Sequence, residues 1–533
     1  MRIDDWFLTT QERGNSHTSI DARRPSGAAW TEGNDVKLLI DGEAYFASLV
    51  RAVSDLRRGD QLLFTDWRSD ADELLRERGP TIGELVLEAC HRGVDVRGLL
   101  WRSHSDRLDF SAKENRHLAV ELSRAGGEVL LDERVRRGGS HHQKMVLARS
   151  SSNPNLDVAF VGGIDLSHGR RDNAGHRGNA QVIKLDRRYG SQPAWHDAQL
   201  EIRGPAIGDL DLTFRERWQD PTPLNHAGRV RAWACRALSR NRIASAMPEV
   251  RSDPSIQGGH AVQVLRTYPS RRPRYPFAPD GERSVARAFV KAIQRARCLI
   301  YIEDQYFWSS EIATILARAL RLHPALQLIV VVPRFPDKDG RFSGPPSRLA
   351  QAQAMAIVRA AGGDRVRFYN VQNDEGWPIY VHAKVCVIDD VWATVGSDNL
   401  NRRSWTHDSE LSCAVIDDEL DERAPRDPGG LGDGSRTFAR NLRLMLWAEH
   451  LGRSLDDVEL LDIAQACRLW EKAAADAQRD DFGGAIGARP SSRVRDHVIE
   501  PVPHGAQRWA RLAYRLIFDP DGRPLRLRLR HRY

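Results

Sequence analysis

Two short clusters of histidine and lysine are the residues most capable of chemistry. His142-Gln-Lys144 and His382-Ala-Lys384 lie 240 residues apart. Each leads through an apolar run into a glycine-containing segment, Gly162-Gly163 in the first case and Gly396-Ser397 in the second. One His-x-Lys carries no information. Two copies, each read as part of an apolar strand, suggest half-sites that face one another. Side chains alternate along an extended strand, so a His and a Lys two apart point to the same face. Two imidazoles and two ammonium groups converging in this way suit a phosphodiester. Its anionic oxygens repel nucleophiles, so cleavage needs cations on those oxygens, a nucleophile in line and an acid for the departing alkoxide. Neutral imidazole can attack phosphorus, and imidazolium can protonate the leaving oxygen.

The elements that must carry these residues follow one plan twice. In the first half, Phe46, Leu49, Val50, Val53 and Leu56 have helical spacing and precede an apolar strand over 62–65. A second helix is marked by Ile82, Leu85, Val86 and Ala89, then come a strand over 94–101, a helix over 113–125 and a strand over 128–131. The His142 strand and an apolar run over 158–164 complete the half. The second half repeats the order: helix at Val285, Phe289 and Ile293, strand 299–302, helix at Ile312, Ile315, Leu316 and Leu320, strand 326–332, helix 347–361, strand 366–371, the His382 strand and a run over 393–396. Alternation of a 3.6-residue period with short apolar strands predicts an α/β fold, and the repeated order predicts duplication. The expectation is two similar α/β-sandwich halves related by a pseudo-twofold axis, with the active site at their interface. The divisions expected are a polar tail over 1–34, a first half over 35–220, a linker over 221–260 with a helix at 230–238, a second half over 261–417, and a C-terminal region over 418–533. That last region comprises a Gly/Pro/Asp loop, helices, and an alternating basic tail, Leu525-Arg-Leu-Arg-Leu-Arg, read as a charged edge strand.

At 533 residues the chain is too long for one core. Its 41% hydrophobic and 28% charged content suits a water-soluble globular protein. The net charge of +7 is carried mostly by arginine, which fits phosphate-bearing partners without choosing among nucleic acid, an anionic membrane and acidic small molecules. Six scattered cysteines form no CxxC pair and read as buried free thiols, which argues against both zinc and a disulfide framework. The N-terminus shows no basic start followed by an apolar core, and no apolar run approaches 18 residues. A lipid substrate would thus be reached from the water side. The expected location is cytoplasmic or at a membrane periphery, with export by a route that uses no cleaved signal left open.

At this point the chain resembles the phospholipase D superfamily, whose signature is His-x-Lys-x4-Asp followed by a Gly-Gly or Gly-Ser strand, usually with Asn nearby. The second copy matches in full through His382, Lys384, Asp389, Gly396, Ser397 and Asn399. Further segments resemble the eukaryotic-type enzymes: Tyr301-Ile-Glu-Asp-Gln-Tyr-Phe307 before the second motif, and, in the first half, His141-His-Gln-Lys144, Phe160-Val-Gly-Gly-Ile-Asp-Leu166, Trp195-His-Asp197, Gly204-Pro-Ala206 and Arg217-Trp218. The resemblance runs from about Lys37 to about Gly452, with none of that group's usual membrane-targeting modules before it. The first copy departs from the pattern, because Arg149 stands where Asp is expected and residues 150–157 read as a hairpin insertion in which Asp157 partly substitutes. It also lacks an Asn at the position of Asn399. In the family that Asp supports the fold around the site.

The resemblance implies the site residues His142, Lys144, His382, Lys384, Asp389, Asn399, Glu410 and Asp197. A catalytic His has its second ring nitrogen held by a carboxylate, which fixes the tautomer. The family places Glu410 on His382, and Asp197 is the candidate for His142. His141 reads as a strand neighbour, His168, His176 and His196 as loop histidines, and Gln305 either as a phosphate contact or as an ordinary rim residue. The activity implied is hydrolysis of the distal phosphodiester of a glycerophospholipid at a membrane surface. It would yield phosphatidic acid and a free alcohol through a phosphohistidine, with head-group exchange when an alcohol replaces water. No cofactor or metal is implied for this chemistry, and one chain supplies both half-sites, so a monomer is expected. Three alternatives stay open: a cardiolipin or phosphatidylserine synthase-like phosphatidyltransferase, a phosphodiesterase or nuclease acting on nucleic acid (disfavoured by the Tyr301–Phe307 segment), and a non-enzymatic scaffold.

Overall fold

The computed structural model describes residues 1–533 apart from 25, 103–111, 225–243, 339, 341, 484–489 and 531. The first half runs β1 (Thr31–Ile40), α1 (Asp41–Ser54), β2 (Gln61–Asp66), α2 (Ile82–His91), β3 (Asp95–Trp101), α3 (Ala112–Arg124), β4 (Glu128–Asp132), β5 (Met145–Arg149), β6 (Val158–Gly162), β7 (Ala194–His196), β8 (Ala198–Arg203) and α4 (Ala206–Trp218). The second runs β9 (His260–Tyr268), β10 (Glu282–Arg283), α5 (Ser284–Arg295), β11 (Leu299–Glu303), α6 (Ser310–Leu322), β12 (Gln327–Val331), α7 (Gly344–Gly362), β13 (Val366–Val371), β14 (Ile379–Val381), β15 (Val385–Ile388), β16 (Trp392–Gly396) and β17 (Glu410–Asp417). Helices α8 (Thr437–Leu451) and α9 (Ile463–Gly483), strand β18 (Val494–Asp496) and helix α10 (His504–Ala513) follow.

Alternation along the strands sets the layers. Leu62 and Phe64 enter one core while Leu63, between them, enters another. Ile300 and Ile302 separate in the same way from Leu299 and Tyr301. Strands buried on both faces read as continuous apolar runs. The outer face of the first half is covered by α1, α2 and α3, through residues such as Phe46, Leu85 and Leu118. The corresponding face of the second half is covered by α5, α6 and α7, through Phe289, Leu316 and Val358. The inner faces share one core, closed by Phe214 and Trp218 of α4 and by Trp447 and Trp470 of α8 and α9.

Strand order exposes the duplication. The first half reads β1-β8-β6-β5-β2-β3-β4 and the second β9-β17-β16-β15-β11-β12-β13. Both are counted outward from the antiparallel join of β1 to β9 at Thr31↔Val262 and Asn34↔His260. In each half three parallel strands connect through helices, as parallel pairing requires. The expected two-lobed α/β architecture is present. Among the described residues, no helix is long and apolar enough to cross a membrane.

Three regional expectations change. The polar stretch 1–34 is packed rather than a tail: Trp6, Phe7 and Leu8 are buried in the second lobe's outer core, and Arg13 is fully buried on Glu282 at 3.2 Å. Its average polarity conceals three consecutive apolar residues and an internally satisfied arginine. The alternating basic segment forms a helical turn, Leu525–Leu529, and no edge strand. Leu and Arg are both good helix formers, and no partner strand lies alongside to override that preference. The linker helix expected at 230–238 lies outside the described residues.

Candidate active site

The two His-x-Lys segments lie just before β5 and β15, and each is clamped by the other lobe. The His142 amide donates to the Ser409 carbonyl at 2.9 Å, and the Ser409 amide donates to the Ser140 carbonyl at 3.0 Å. In the same way β14 pairs in parallel with β7, Val381 opposite His196, and the His382 amide donates to the His196 carbonyl at 2.8 Å. Each histidine therefore runs beside the segment that carries a carboxylate of the opposite lobe.

That arrangement crosses the carboxylates, and it corrects the pairing expected from sequence. Glu410 Oε2 lies 2.8 Å from His142 Nδ1, and Asp197 Oδ2 lies 2.6 Å from His382 Nδ1. Glu410 therefore orients His142, and Asp197 orients His382. The physical reason is the parallel clamp just described, which places residue 410 beside 142 and residue 197 beside 382. With Nδ1 engaged, each imidazole presents Nε2 to the interface. The two carboxylates are not equivalent. Asp197 also accepts from the Ala198 amide at 2.9 Å and Trp195 Nε1 at 3.3 Å. Glu410 accepts from Ser397 Oγ at 2.6 Å, but its Oε1 is buried without a hydrogen bond.

Close backbone approach makes this geometry depend on glycine. A Cβ at Gly163 would lie 2.1 Å from Asp197 Oδ1. Gly163→Ala is accordingly expected to displace Asp197 and lower turnover by at least about 10-fold, since small misplacements of catalytic groups are costly. Steady-state kinetics on the folded variant reads this out, and an unchanged kcat would show that the contact is tolerated.

The lysines sit on the same surface. Lys144 Nζ lies 3.2 Å from Asp165 Oδ1 and donates to the His142 carbonyl at 3.2 Å. Lys384 Nζ donates to the His382 carbonyl. Among the described residues no carboxylate lies within ion-pair distance of Lys384. Asp165, absent from the sequence-based site, occupies in Gly162-Gly-Ile-Asp165 the place of Asn399 in Gly396-Ser-Asp-Asn399. It also binds Arg170 at 3.2 Å, and that guanidinium lies 3.9 Å over the Trp195 ring, which itself packs 4.8 Å from the His382 ring. Comparing the two glycine segments position by position was the signal for Asp165; nothing local marks Arg170. Asn399 is buried and its side-chain carbonyl has no hydrogen bond.

Asp389 is placed differently from the rest. It sits in the β15–β16 turn with φ 52°, and its carboxylate accepts the amides of Arg297, Cys298 and Leu299 at 2.7–2.8 Å. It fixes the start of β11 and touches neither His382 nor Lys384, which corrects its place among the reacting residues. In the first lobe the equivalent tie is reversed. Asp60, just before β2, accepts the Ser151 amide of the hairpin at 2.6 Å. Arg149 instead spans Asp157 at 2.9 Å and Asp211 at 2.5 Å, all three side chains fully buried. Asp157 therefore neutralises Arg149, while Asp60 supplies the backbone tie expected of the missing Asp. Arg149→Met should destabilise the protein by about 3–5 kcal/mol in denaturant unfolding, because buried Asp157 loses its ion pair and Asp211 is left with Arg215 alone. Arg149→Asp, which restores the motif letter, should be no better.

His141 is buried beside Ser409 Oγ at 3.3 Å, consistent with a neighbour role, and Gln305 Nε2 donates to the Tyr380 hydroxyl at 2.7 Å. His168 is a partly exposed loop residue bonded to Asp72 at 2.9 Å. His176 and His196, in contrast, are fully buried among carboxylates, because loop 172–179 and strand β7, which His196 ends, pack into the lobe interface.

Electrostatics favour neutral imidazoles at both positions. Burial, then the adjacent Lys144, holds His142 well below the ordinary imidazole range, and burial with Lys384 and Arg170 does the same to His382. Burial and the nearby Asp408 push Glu410 up to about 8. Burial, opposed by Asp197 and aided by Lys144, pulls Lys384 down to about 8. Lys384 is thus an ammonium below that pH and loses its charge above it. If it holds substrate, kcat/KM should fall as pH rises through about 8, while kcat should not, because a bound anion keeps the proton on. A pH profile of both parameters checks this, and a kcat/KM flat to pH 10 would exclude a substrate-binding Lys384 with a lowered pKa.

A family model described as phospholipase D matches residues 63–323, and one described as the PLD-like domain of cardiolipin synthase matches residues 289–425. Phospholipase D alpha 4 of Arabidopsis thaliana is 24% identical over 82% of this chain and 68% of its own length, and phospholipase D gamma 3 is 27% identical over 70% and 56%. The chain thus spans little more than half to two thirds of these relatives. A solved phosphatidylserine synthase of Haemophilus influenzae aligns over 72% of this chain and 82% of its own, at 13% identity and a TM-score of 0.48. The two family models together span both His-x-Lys segments, and the chain belongs to the phospholipase D superfamily of phosphodiesterases.

Proposed function

We propose that this protein is a phospholipase D that cleaves the distal phosphodiester of glycerophospholipids. The observation that carries the reading is the crossed pair of imidazoles, each oriented at Nδ1 by a carboxylate of the other lobe and each flanked by a lysine. His142 Nε2 attacks phosphorus while His382 Nε2 gives its proton to the departing head-group oxygen, leaving a phosphatidyl group on His142. His382 then takes a proton from water, whose oxygen attacks phosphorus, and phosphatidic acid leaves as the His142–phosphorus bond breaks. An alcohol in place of water gives head-group exchange. Lys144, Lys384 and Asn399 hold the non-bridging oxygens.

The division of labour between the histidines follows from their partners. Asp197 has three donors and Glu410 two, so Asp197 is the better-stabilised anion and the better support for an imidazolium. Arrival of the phosphate anion offsets the burial and the lysines that keep both rings neutral, and His382 gains its proton first. His142 remains the nucleophile.

The lipid reading is favoured over a nucleic acid by the C-terminal surface. On α10 and the turn after it, Trp509, Leu512 and Leu516 share one face, with Leu512 61% and Leu516 67% exposed. Arg508, Arg511 and Arg515 flank that face. Arg403, whose guanidinium also bonds Asp408 beside Glu410, donates to the Ile517 carbonyl at 3.0 Å and ties this surface to the site. An apolar face rimmed by arginine suits the interface of an anionic bilayer. Product analysis on mixed phospholipid vesicles and on single-stranded DNA tests the reading. Release of phosphatidic acid with no DNA cleavage is expected. DNA cleavage alone, or formation only of a second phosphatidyl lipid from a lipid alcohol acceptor, would replace it with one of the alternatives.

A further inference from the structure

Directly behind Asp197, a group of buried ionisable side chains takes no part in this chemistry. Asp41 opens α1, His176 comes from a loop and His196 ends β7, all in the first lobe; Glu449 lies on α8, which packs on the second. One donor atom from each lies within 4.8 Å of all the others. His196 Nδ1 is 3.1 Å from Asp41 Oδ1 and 3.2 Å from Glu449 Oε1. His176 Nε2 is 3.0 Å from Glu449 Oε1 and 3.9 Å from Asp41 Oδ2. Ligands held about 2.0–2.2 Å from a tetrahedral zinc ion stand about 3.3–3.6 Å apart, the centre of this range.

Two further observations point to a ligand. His196 Nδ1 and Asp41 Oδ2 are buried and make no hydrogen bond. Neither oxygen near His196 Nδ1 lies where a ring N–H could reach it with hydrogen-bond geometry. The outer face of each imidazole is also already engaged. His176 Nδ1 faces the Trp195 carbonyl at 3.1 Å, an atom that can only accept, so a proton belongs on Nδ1, and Nε2, on Glu449 at 3.0 Å, is the nitrogen that would exchange a proton for an ion. His196 Nε2 faces Glu303 at 2.9 Å, and Glu303 is fixed in turn by His450 at 2.7 Å and the Tyr301 hydroxyl at 2.5 Å. A metal-bound histidine is oriented in this way, its distal N–H on a carbonyl or carboxylate. Two neutral imidazoles and two carboxylates carry two negative charges, which a divalent ion offsets. Two imidazoles with nitrogen and oxygen donors suit a first-row transition ion.

We propose that Asp41, His176, His196 and Glu449 bind one divalent transition-metal ion, zinc in the first instance, which fastens the two lobes behind the catalytic carboxylate. The site uses no cysteine, so the proposal departs from the expectation, drawn from the cysteine pattern, that zinc is absent. Its ligands lead directly to the reacting groups: Asp41 Oδ1 accepts the Asp197 amide at 3.3 Å, and the His196 carbonyl accepts the His382 amide at 2.8 Å. The ion acts on structure and touches no substrate.

The test is elemental analysis of the full chain, grown with zinc and purified without a metal-affinity step. About one equivalent of zinc per chain is expected. Cobalt(II) added to chelator-treated protein should give the visible absorption of a tetrahedral N/O site and raise the melting temperature. Glu303→Gln should keep the site but weaken zinc binding about 10–100-fold. His176→Gln and Glu449→Gln should abolish it. If these variants do not fold, titration of the chelator-treated wild-type chain decides alone. A wild-type chain that is isolated without metal, takes up neither zinc nor cobalt and melts at the same temperature with either would overturn the proposal. The cluster would then be an ion-pair network with protons on both imidazoles. None of these readouts involves substrate, so either result leaves the phospholipase reading standing.

Discussion

His142→Ala should lower turnover of a phospholipid by about 10⁴–10⁶-fold, the scale on which loss of a catalytic nucleophile is felt. No leaving group should rescue it, because no atom is left to take the phosphatidyl group. His382→Ala should cost a comparable factor on a natural head group, whose alkoxide needs a proton. With a nitrophenol head group that need falls away, and the first displacement should recover most of its rate. Hydrolysis of the phosphohistidine should stay slow, since the same imidazole activates water. Burst kinetics with a chromogenic diester separates the two: a burst close to one equivalent and then almost no turnover in His382→Ala, and no burst in His142→Ala. Equal loss of the burst in both variants would remove the distinction between nucleophile and acid.

The crossed carboxylates give the second large effect. Asp197→Asn should lower turnover by about 10²–10⁴-fold on natural substrates, as loss of the tautomer-fixing carboxylate does in a related arrangement. That loss should shrink with the nitrophenol head group, because Asp197 serves the acid. A double-mutant cycle then locates the couplings. Asp197→Asn should add little once His382 is already alanine, and Glu410→Gln little once His142 is. Glu410→Gln should still slow the nitrophenol burst in His382→Ala, where the nucleophile it orients is intact. The reverse pattern would restore the within-lobe pairing suggested by sequence.

What the sequence makes legible is what chemistry demands of neighbouring residues. His-x-Lys puts two groups on one face of an extended segment, and the following glycines report close packing that a Cβ would prevent, as at Gly163. Helical and strand periods mark most of the two repeats, because their apolar residues face cores with a fixed rhythm. Partners are another matter. The carboxylate on His142 lies 268 residues away in sequence and the one on His382 lies 185 away, and nothing local says which belongs to which. A symmetric site offers two pairings of equal chemical sense, and only the parallel clamp between lobes selects the crossed one. Asp389 is the converse case: a motif residue sits in a turn and serves backbone amides, the fold-supporting role that the resemblance implies for it, although the motif groups it with the catalytic residues. Arg149 shows the same point from the other lobe, where the tie to the neighbouring strand survives with the carboxylate moved to Asp60. His176 and His196 read as loop residues because a loop that folds inward has no periodicity to reveal it, and the packed N-terminus escaped notice for the same reason.

The central claim is that one diester is cleaved by two successive displacements through a phosphatidyl group on His142. Acid-free quenching of a single turnover, followed by mass spectrometry of the peptides, addresses it most directly, with His382→Ala and a nitrophenol head group used to hold the intermediate. The account predicts a phosphatidyl mass on the peptide containing His142 and none on that containing His382. A phosphatidyl group on His382, or complete turnover in His382→Ala with no covalent species at any time, would contradict it.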